Sequence, residues 1–292
     1  IRSHGWEVWR AVTREADSGF PAFLTWYQAD ELFSDKPLSP ERTYRPSFNH
    51  PLQKTLGMGD AILSFNTYNQ AMYDHIRGNA YQQKSTLRQL AGRESKVKDF
   101  PDESIMVKTV WWPVRSDGLT AFPVWDREPT RPIEWGRGIA TRVEQGEFDH
   151  HTTDAQEVLR KSELHGNDFE TFKRVVAVEP VESGLTSAKV LFFDPDDLTF
   201  EKRIEREAKR VPLDSFFHLK LESEEQVVKL NKLPDMDDIT TTNWGRPLRV
   251  GDYLVLVAAH VSTREIDDWV WATYWWHDGP DHDAGADRPG DI

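Results

Sequence analysis

The chain has no cysteine among its 292 residues. That absence excludes a disulfide framework, a Cys-x-x-Cys redox pair, thiolate zinc or iron–sulfur sites, and the Cys-x-x-Cys-His attachment of a c-type haem within these residues. Chemistry must come from His, Asp, Glu, Lys, Tyr or a borrowed group. Long apolar runs are missing too: the longest, Tyr253 to Ala259, falls far short of the roughly 18 residues that a membrane-spanning helix needs. Basic residues are outnumbered, 36 against 49 acidic, giving a net charge of −13. No Lys/Arg cluster forms a phosphate-tracking stripe, which argues against nucleic acid as a partner. No Gly-x-Ser-x-Gly elbow, P-loop, Gly-x-Gly-x-x-Gly fingerprint or His-Glu-x-x-His motif occurs, so hydrolase and nucleotide-binding functions lose their usual anchors.

What the chain does have is tryptophan, 12 residues of it, within an aromatic content of 12%. That supplies a packed interior despite a mean hydropathy of −0.65, so the chain is expected to be globular. Aromatics at spacings of three and four, Trp6 to Trp9 and Phe23 to Phe33, predict helices, with Pro37 and Pro40 as stops. A further helix is predicted over Asn66 to Ile76, and a polar helix or loop over Tyr81 to Arg93. At Phe100-Pro101 the period changes from 3.6 to 2. Ile105 to Trp112 reads as a strand apolar on both faces, ended by Pro113. Later strands are predicted at Phe172–Val178, Ala188–Phe193, Ser215–Leu221, Tyr253–Thr263 and Trp269–Trp276. Helices are expected at Ala155–Leu164, Glu201–Lys209 and Glu222–Leu230. The fold expected is one α+β domain over residues 1–292, with N-terminal helices packed on a mostly antiparallel, sandwich-like sheet. Residues 1–100 form its mainly helical part, 101–277 its β-rich part, and 278–292 an acidic tail.

The most informative segment is the hairpin from Leu254 to Asp278. If Thr263 pairs with Trp269 across a turn at Arg264 to Asp268, then Trp269, Trp271, Thr273 and Trp275 share a face with Val257, Ala259 and Val261. His260 then lies opposite Ala272 on the other face, and a one-residue change in turn length reverses the assignment. The tryptophans serve either as an aromatic core layer or as a platform for a planar or sugar-like ligand. His260 within an apolar strand is either a hydrogen-bonded core residue or a functional one. Lys108, an ammonium inside an apolar strand, needs a partner or an exposed face. Lys108, His260 and His277 are the candidate acid/base groups, and Trp112, Trp269, Trp271 and Thr273 the candidate ligand contacts. The run from His277 and Asp278 through Asp281 to His282 and Asp283 is metal-competent, suited to zinc or another borderline divalent ion, but it is interrupted by Gly and Pro and an acidic solvated tail is the simpler reading. The triplets His151 to Thr153 and His260 to Ser262 echo the paired motif of two-histidine phosphoesterases, a short match placed in part on a polar run.

Several segments resemble a family of uncharacterised exported bacterial proteins often labelled "cytochrome c family". They are Trp6 to Trp9, Phe65-Asn66, Tyr73 to Ile76, Phe100 to Pro113 with its Lys108 and Trp-Trp pair, and above all Gly251 to Thr263 with Trp269 to His277. In that family the hairpin is followed by a Cys-x-x-Cys-His segment, which this sequence lacks. The resemblance therefore implies an exported, periplasmic or secreted protein associated with redox or electron transfer. It would be either a haem-less relative or one whose haem lies on a segment beyond Ile292, docking near His260 or His277. The start at Ile1 rather than Met fits a processed or trimmed N-terminus, removal of a secretory leader being one cause. Two alternatives carry their own expectations: a module or enzyme that binds a carbohydrate or other small ring-bearing ligand through a Trp-lined site, and a structural partner subunit.

Overall fold

A computed structural model describes residues 2–34, 63–93, 96–124, 175–193, 203–233, 236, 240, 246–279 and 288–289. The fold is α+β. Helix α1 (Arg2–Thr13) opens the chain and presents Trp6, Trp9 and Val12 to the core. The expected second helix over Phe23 to Phe33 is instead three short pieces: a 3-10 turn (Ala22–Thr25), strand β1 (Tyr27–Gln28) and helix α2 (Ala29–Leu32). Tyr27 and Gln28 are drawn into the sheet as partners of Tyr68 and Thr67, and Gln28 also caps α2 in a reciprocal box with Glu31.

The helix predicted from Asn66 begins later. Residues 63–68 form strand β2 (Leu63–Tyr68), burying Leu63, Phe65 and Thr67 at period two. Helix α3 (Gln70–Gly78) starts only after Asn69, whose side-chain oxygen accepts from the Met72 amide. Helix α4 (Lys84–Gly92) is a surface helix with no buried residue, as the polar stretch predicted. Strand β3 (Ile105–Val114) continues through Pro113 rather than stopping there. The described pairing with β2 ends at Trp111, so Pro113 interrupts no ladder on that side.

The remaining strands are β4 (Thr120–Pro123), β5 (Val175–Glu179), β6 (Ser187–Phe193), β7 (Arg203–Pro212) and β8 (His218–Lys220). Helix α5 (Glu224–Asn231) follows, capped by a Ser223/Gln226 box. Strands β9 (Tyr253–Thr263) and β10 (Val270–Trp275) close the described part. The segment predicted helical from Glu201 is the strand β7. Its Glu, Arg and Lys are helix formers in isolation, but β7 is paired on both edges, parallel to β5 and antiparallel to β6, and buries Ala208 and Val211. The expected helix at Ala155–Leu164, the polar run containing His151, and His282 lie outside the described residues.

One sheet has the order β1-β2-β3-β9-β10, with β8 also on β9, and is wholly antiparallel. The other runs β4-β5-β7-β6. On one face of the first sheet, α1 and α5 enclose Phe65, Val107, Trp111, Ala259, Val261 and Tyr274. On the other face, Val110, Val255, Val257 and Ala258 meet Phe122, Val176, Val178 and Val211 of the second sheet in a shared core, which is the sandwich-like packing expected. Tyr68, Met72, Ile76 and Leu32 cover the far end of that same face, with Met106 and Trp269 packed against them. A register shift between Val110 and Trp111 marks a bulge. Val110 faces Ala258 while Trp111 faces Leu256, so Val257 is the extra residue and turns with Ala258 toward the second sheet.

Candidate functional site

The register of β9 and β10 decides which side chains meet. Thr263 pairs with Val270, not Trp269, so the turn is one residue longer than expected and the face assignment reverses. Ser262 is opposite Trp271, His260 opposite Thr273 and Ala258 opposite Trp275. His260 thus shares its face with Trp271, Thr273 and Trp275, while Ala272 and Tyr274 turn toward α1. There Tyr274 stacks on Trp9 at 4.5 Å and its hydroxyl donates to the Gly5 carbonyl.

Across the other edge of β9, His260 is the register partner of Lys108, which in turn faces Asn66 on β2. Four strands therefore contribute one transverse row, Asn66, Lys108, His260 and Thr273, about 14 Å long at the usual strand spacing. The row occupies the gap between two apolar clusters on that face, the α2/α3 cluster at one end and the shared two-sheet core at the other. Asn66, Lys108 and His260 are half-buried and Thr273 is exposed, flanked by Trp271 at 68% and Trp275 at 44% exposure. Exposed indoles at positions i−2 and i+2 of one strand form a ledge beside the polar row.

The electrostatics follow from this placement. Burial, reinforced by the Lys108 ammonium, holds the His260 imidazole below its ordinary value, so it is neutral at pH 7. Its Nδ1 is hydrogen-bonded to Thr273 Oγ1 at 2.8 Å, which fixes the ring and leaves Nε2 for a ligand. The Trp275 ring stands edge-on to it, with centroids 6.5 Å apart. Lys108 has no ion pair among the described residues, and the Asn66 side-chain oxygen beside it is buried without a hydrogen bond. A neutral base, a cation and an unused acceptor in one row can bind hydroxyl and anionic groups. The same set can also take a proton from a bound hydroxyl while Lys108 stabilises the oxyanion.

The other candidate residues stand elsewhere. Trp269 packs edge-to-face on Phe100 at 5.4 Å, and Trp112 does the same on Phe122 at 5.8 Å, so both belong to the packing on the two sides of the row. His277 follows β10, with Nδ1 accepting from the Gly279 amide at 2.9 Å. Its neighbour Asp278 pairs with Lys209 of β7 at 3.3 Å. Neither contacts His260. Among the described residues no three His, Asp or Glu side chains are placed to hold a metal ion.

One charged centre had no counterpart in the sequence-based expectations. Asp252, fully buried, takes both guanidinium nitrogens of Arg246, at 2.7 and 2.9 Å, plus the amides of Ser116 and Arg249. Asp117 joins Arg246, Arg249 and Arg115. Burial alone would raise the Asp252 carboxyl, but these donors outweigh it and hold it below the usual range. The cluster ties the β3–β4 turn to the start of β9, at Gly251, whose φ of +96 suits only glycine. Both Asp252 oxygens are fully engaged by these donors, so the cluster reads as a clamp and not a site. In comparisons with known proteins, no family model, no curated protein and no solved structure matches the chain significantly.

Proposed function

We propose that the chain binds a small ring-bearing ligand of carbohydrate type on the ledge of Trp271 and Trp275, with Thr273, His260 and Lys108 supplying its polar contacts. The observation that carries this is the cross-strand row, which sets two exposed indoles beside a hydrogen-bonded neutral imidazole and an ammonium with no ion pair among the described residues, all on one face. Indoles left in water on a rigid strand favour stacking against the apolar face of a ring, and the row provides donors and acceptors at its edge. Export to the periplasm and a redox association remain part of this proposal on the strength of the hairpin resemblance alone. The absorption spectrum and intact mass of the native product test that part.

Binding is tested by quenching of tryptophan fluorescence with a panel of glycans. Trp271→Ala and Trp275→Ala should each weaken a quenching ligand by about 5- to 10-fold, in line with an aromatic contact of about 1 kcal/mol. His260→Ala should weaken it further by removing the polar anchor. Quenching that is unchanged in both tryptophan variants contradicts the proposal.

A further inference from the structure

We propose that Arg264, Ser262 and Ser104 form a buried site for an oxyanion at the turn end of the β3–β9 ladder. The three residues converge by register. The Arg264 amide donates to the Ser104 carbonyl at 3.1 Å, which places these residues opposite one another just beyond Ile105 and Thr263. Ser262 precedes Arg264 by two residues and so lies on the same side of the strand. All three are deeply buried: Ser104 is inaccessible, Ser262 is 1% exposed and Arg264 is 9% exposed. One guanidinium nitrogen and both hydroxyls are nonetheless unused. Arg264 Nη1 and both serine hydroxyls are shielded from solvent with no hydrogen-bond partner.

A guanidinium enclosed to this extent normally meets a carboxylate, because its desolvation must be offset. The acids of the adjoining turn, Glu265, Asp267 and Asp268, do not serve: no ion pair joins any of them to Arg264 among the described residues. Glu265 is instead engaged by His4 at 2.7 Å and by the Thr263 hydroxyl. Two lone hydroxyls would be satisfied by one ordered water, but a water leaves the guanidinium charge uncompensated. A carboxylate, sulfate or phosphate oxygen accepts from all three groups and neutralises the charge, and guanidinium suits such planar or tetrahedral acceptors. The chemical class is therefore an oxyanion. It is either a free ion or the acidic group of a larger ligand, since Ser262 is the register partner of Trp271 on the ledge.

The test is a titration of the full chain with inorganic phosphate, and separately with glucuronate and glucose, at ionic strength held constant with chloride. Binding is read by calorimetry. Saturable phosphate or glucuronate binding is expected. It should fall about tenfold or more in Arg264→Met and in the double variant Ser104→Ala/Ser262→Ala, and partially in Arg264→Lys, which keeps charge but loses the fork. The serine variants fill their sites with alanine, so they keep the inference testable should Arg264→Met fail to fold. If Trp271→Ala weakens glucuronate but not phosphate, the anion belongs to a ring ligand; equal, unchanged affinities in that variant identify a free ion. Failure of glucose and neutral glycans alone removes the ring-ligand proposal and leaves this one standing. Absence of saturable phosphate and glucuronate binding, or an unchanged affinity in the double serine variant, overturns it.

Discussion

At the scale of single residues, Lys108 and His260 meet because the β3–β9 register sets them opposite one another, each within an apolar strand. Trp271 and Trp269 look equivalent in sequence, two apart on one strand. The structure separates them because Trp269 is captured by Phe100 from 169 positions earlier, while Trp271 stays in water. Trp111 shows the opposite case, an indole that is purely structural. It is fully buried, stacks on Phe65 at 5.6 Å and donates to Thr109 Oγ1 at 2.9 Å. Trp111→Ala should cost about 3–5 kcal/mol by urea denaturation, the usual range for emptying a large aromatic site. Thr109→Val should cost about 1–3 kcal/mol, because it leaves a buried indole N–H without an acceptor.

At the scale of elements, both strands of the last hairpin were legible from period and β-branching, to within a residue at each end. The length of the turn between them was not, and one residue was enough to exchange the two faces. The physical reason is that this turn is fixed by contacts distant in sequence: His4 on Glu265 and Phe100 on Trp269. Strand β7 departs from its helical expectation for a related reason, since its charged residues gain more from pairing with two neighbours than from helical propensity. The Asp252 clamp was not legible because it joins two stretches far apart in sequence, Arg246 to Asp252 and the turn around Ser116. Asp252→Ala should destabilise the fold by about 3 kcal/mol, as removal of one member strands a partly buried guanidinium. Arg246→Ala should cost a similar amount, and the double variant less than the sum of the two, a coupling measurable in a double-mutant cycle.

At the scale of the whole molecule, two sheets share one core, and the candidate site lies between the two apolar clusters that the described residues place on one face of the first. The α+β class and the antiparallel, sandwich-like packing were legible, because hydrophobic period survives burial. The site was legible only as a set of residue types, because it is assembled from β2, β3, β9 and β10 together. Charge sets the acid limit of the fold. Asp252 and Asp117 are held below the ordinary carboxylate range, near 4, in the folded state. Their contribution is complete above that range and is lost as pH falls through it toward the depressed values. Thermal melts should therefore show stability dropping below about pH 4, and Asp252→Asn should flatten that drop.

The row itself makes the most direct claim: Lys108, His260 and Thr273 form one electrostatic unit created by the sheet register. His260, neutral because it is buried beside Lys108, should titrate below the usual value of about 6.5. NMR titration of the histidine side-chain signals, in the native chain and in Lys108→Met, tests this without knowledge of the ligand. The expected result is a His260 pKa below that of a free histidine, rising toward it when the Lys108 charge is removed. A His260 that titrates normally, or one that does not respond to Lys108→Met, contradicts it.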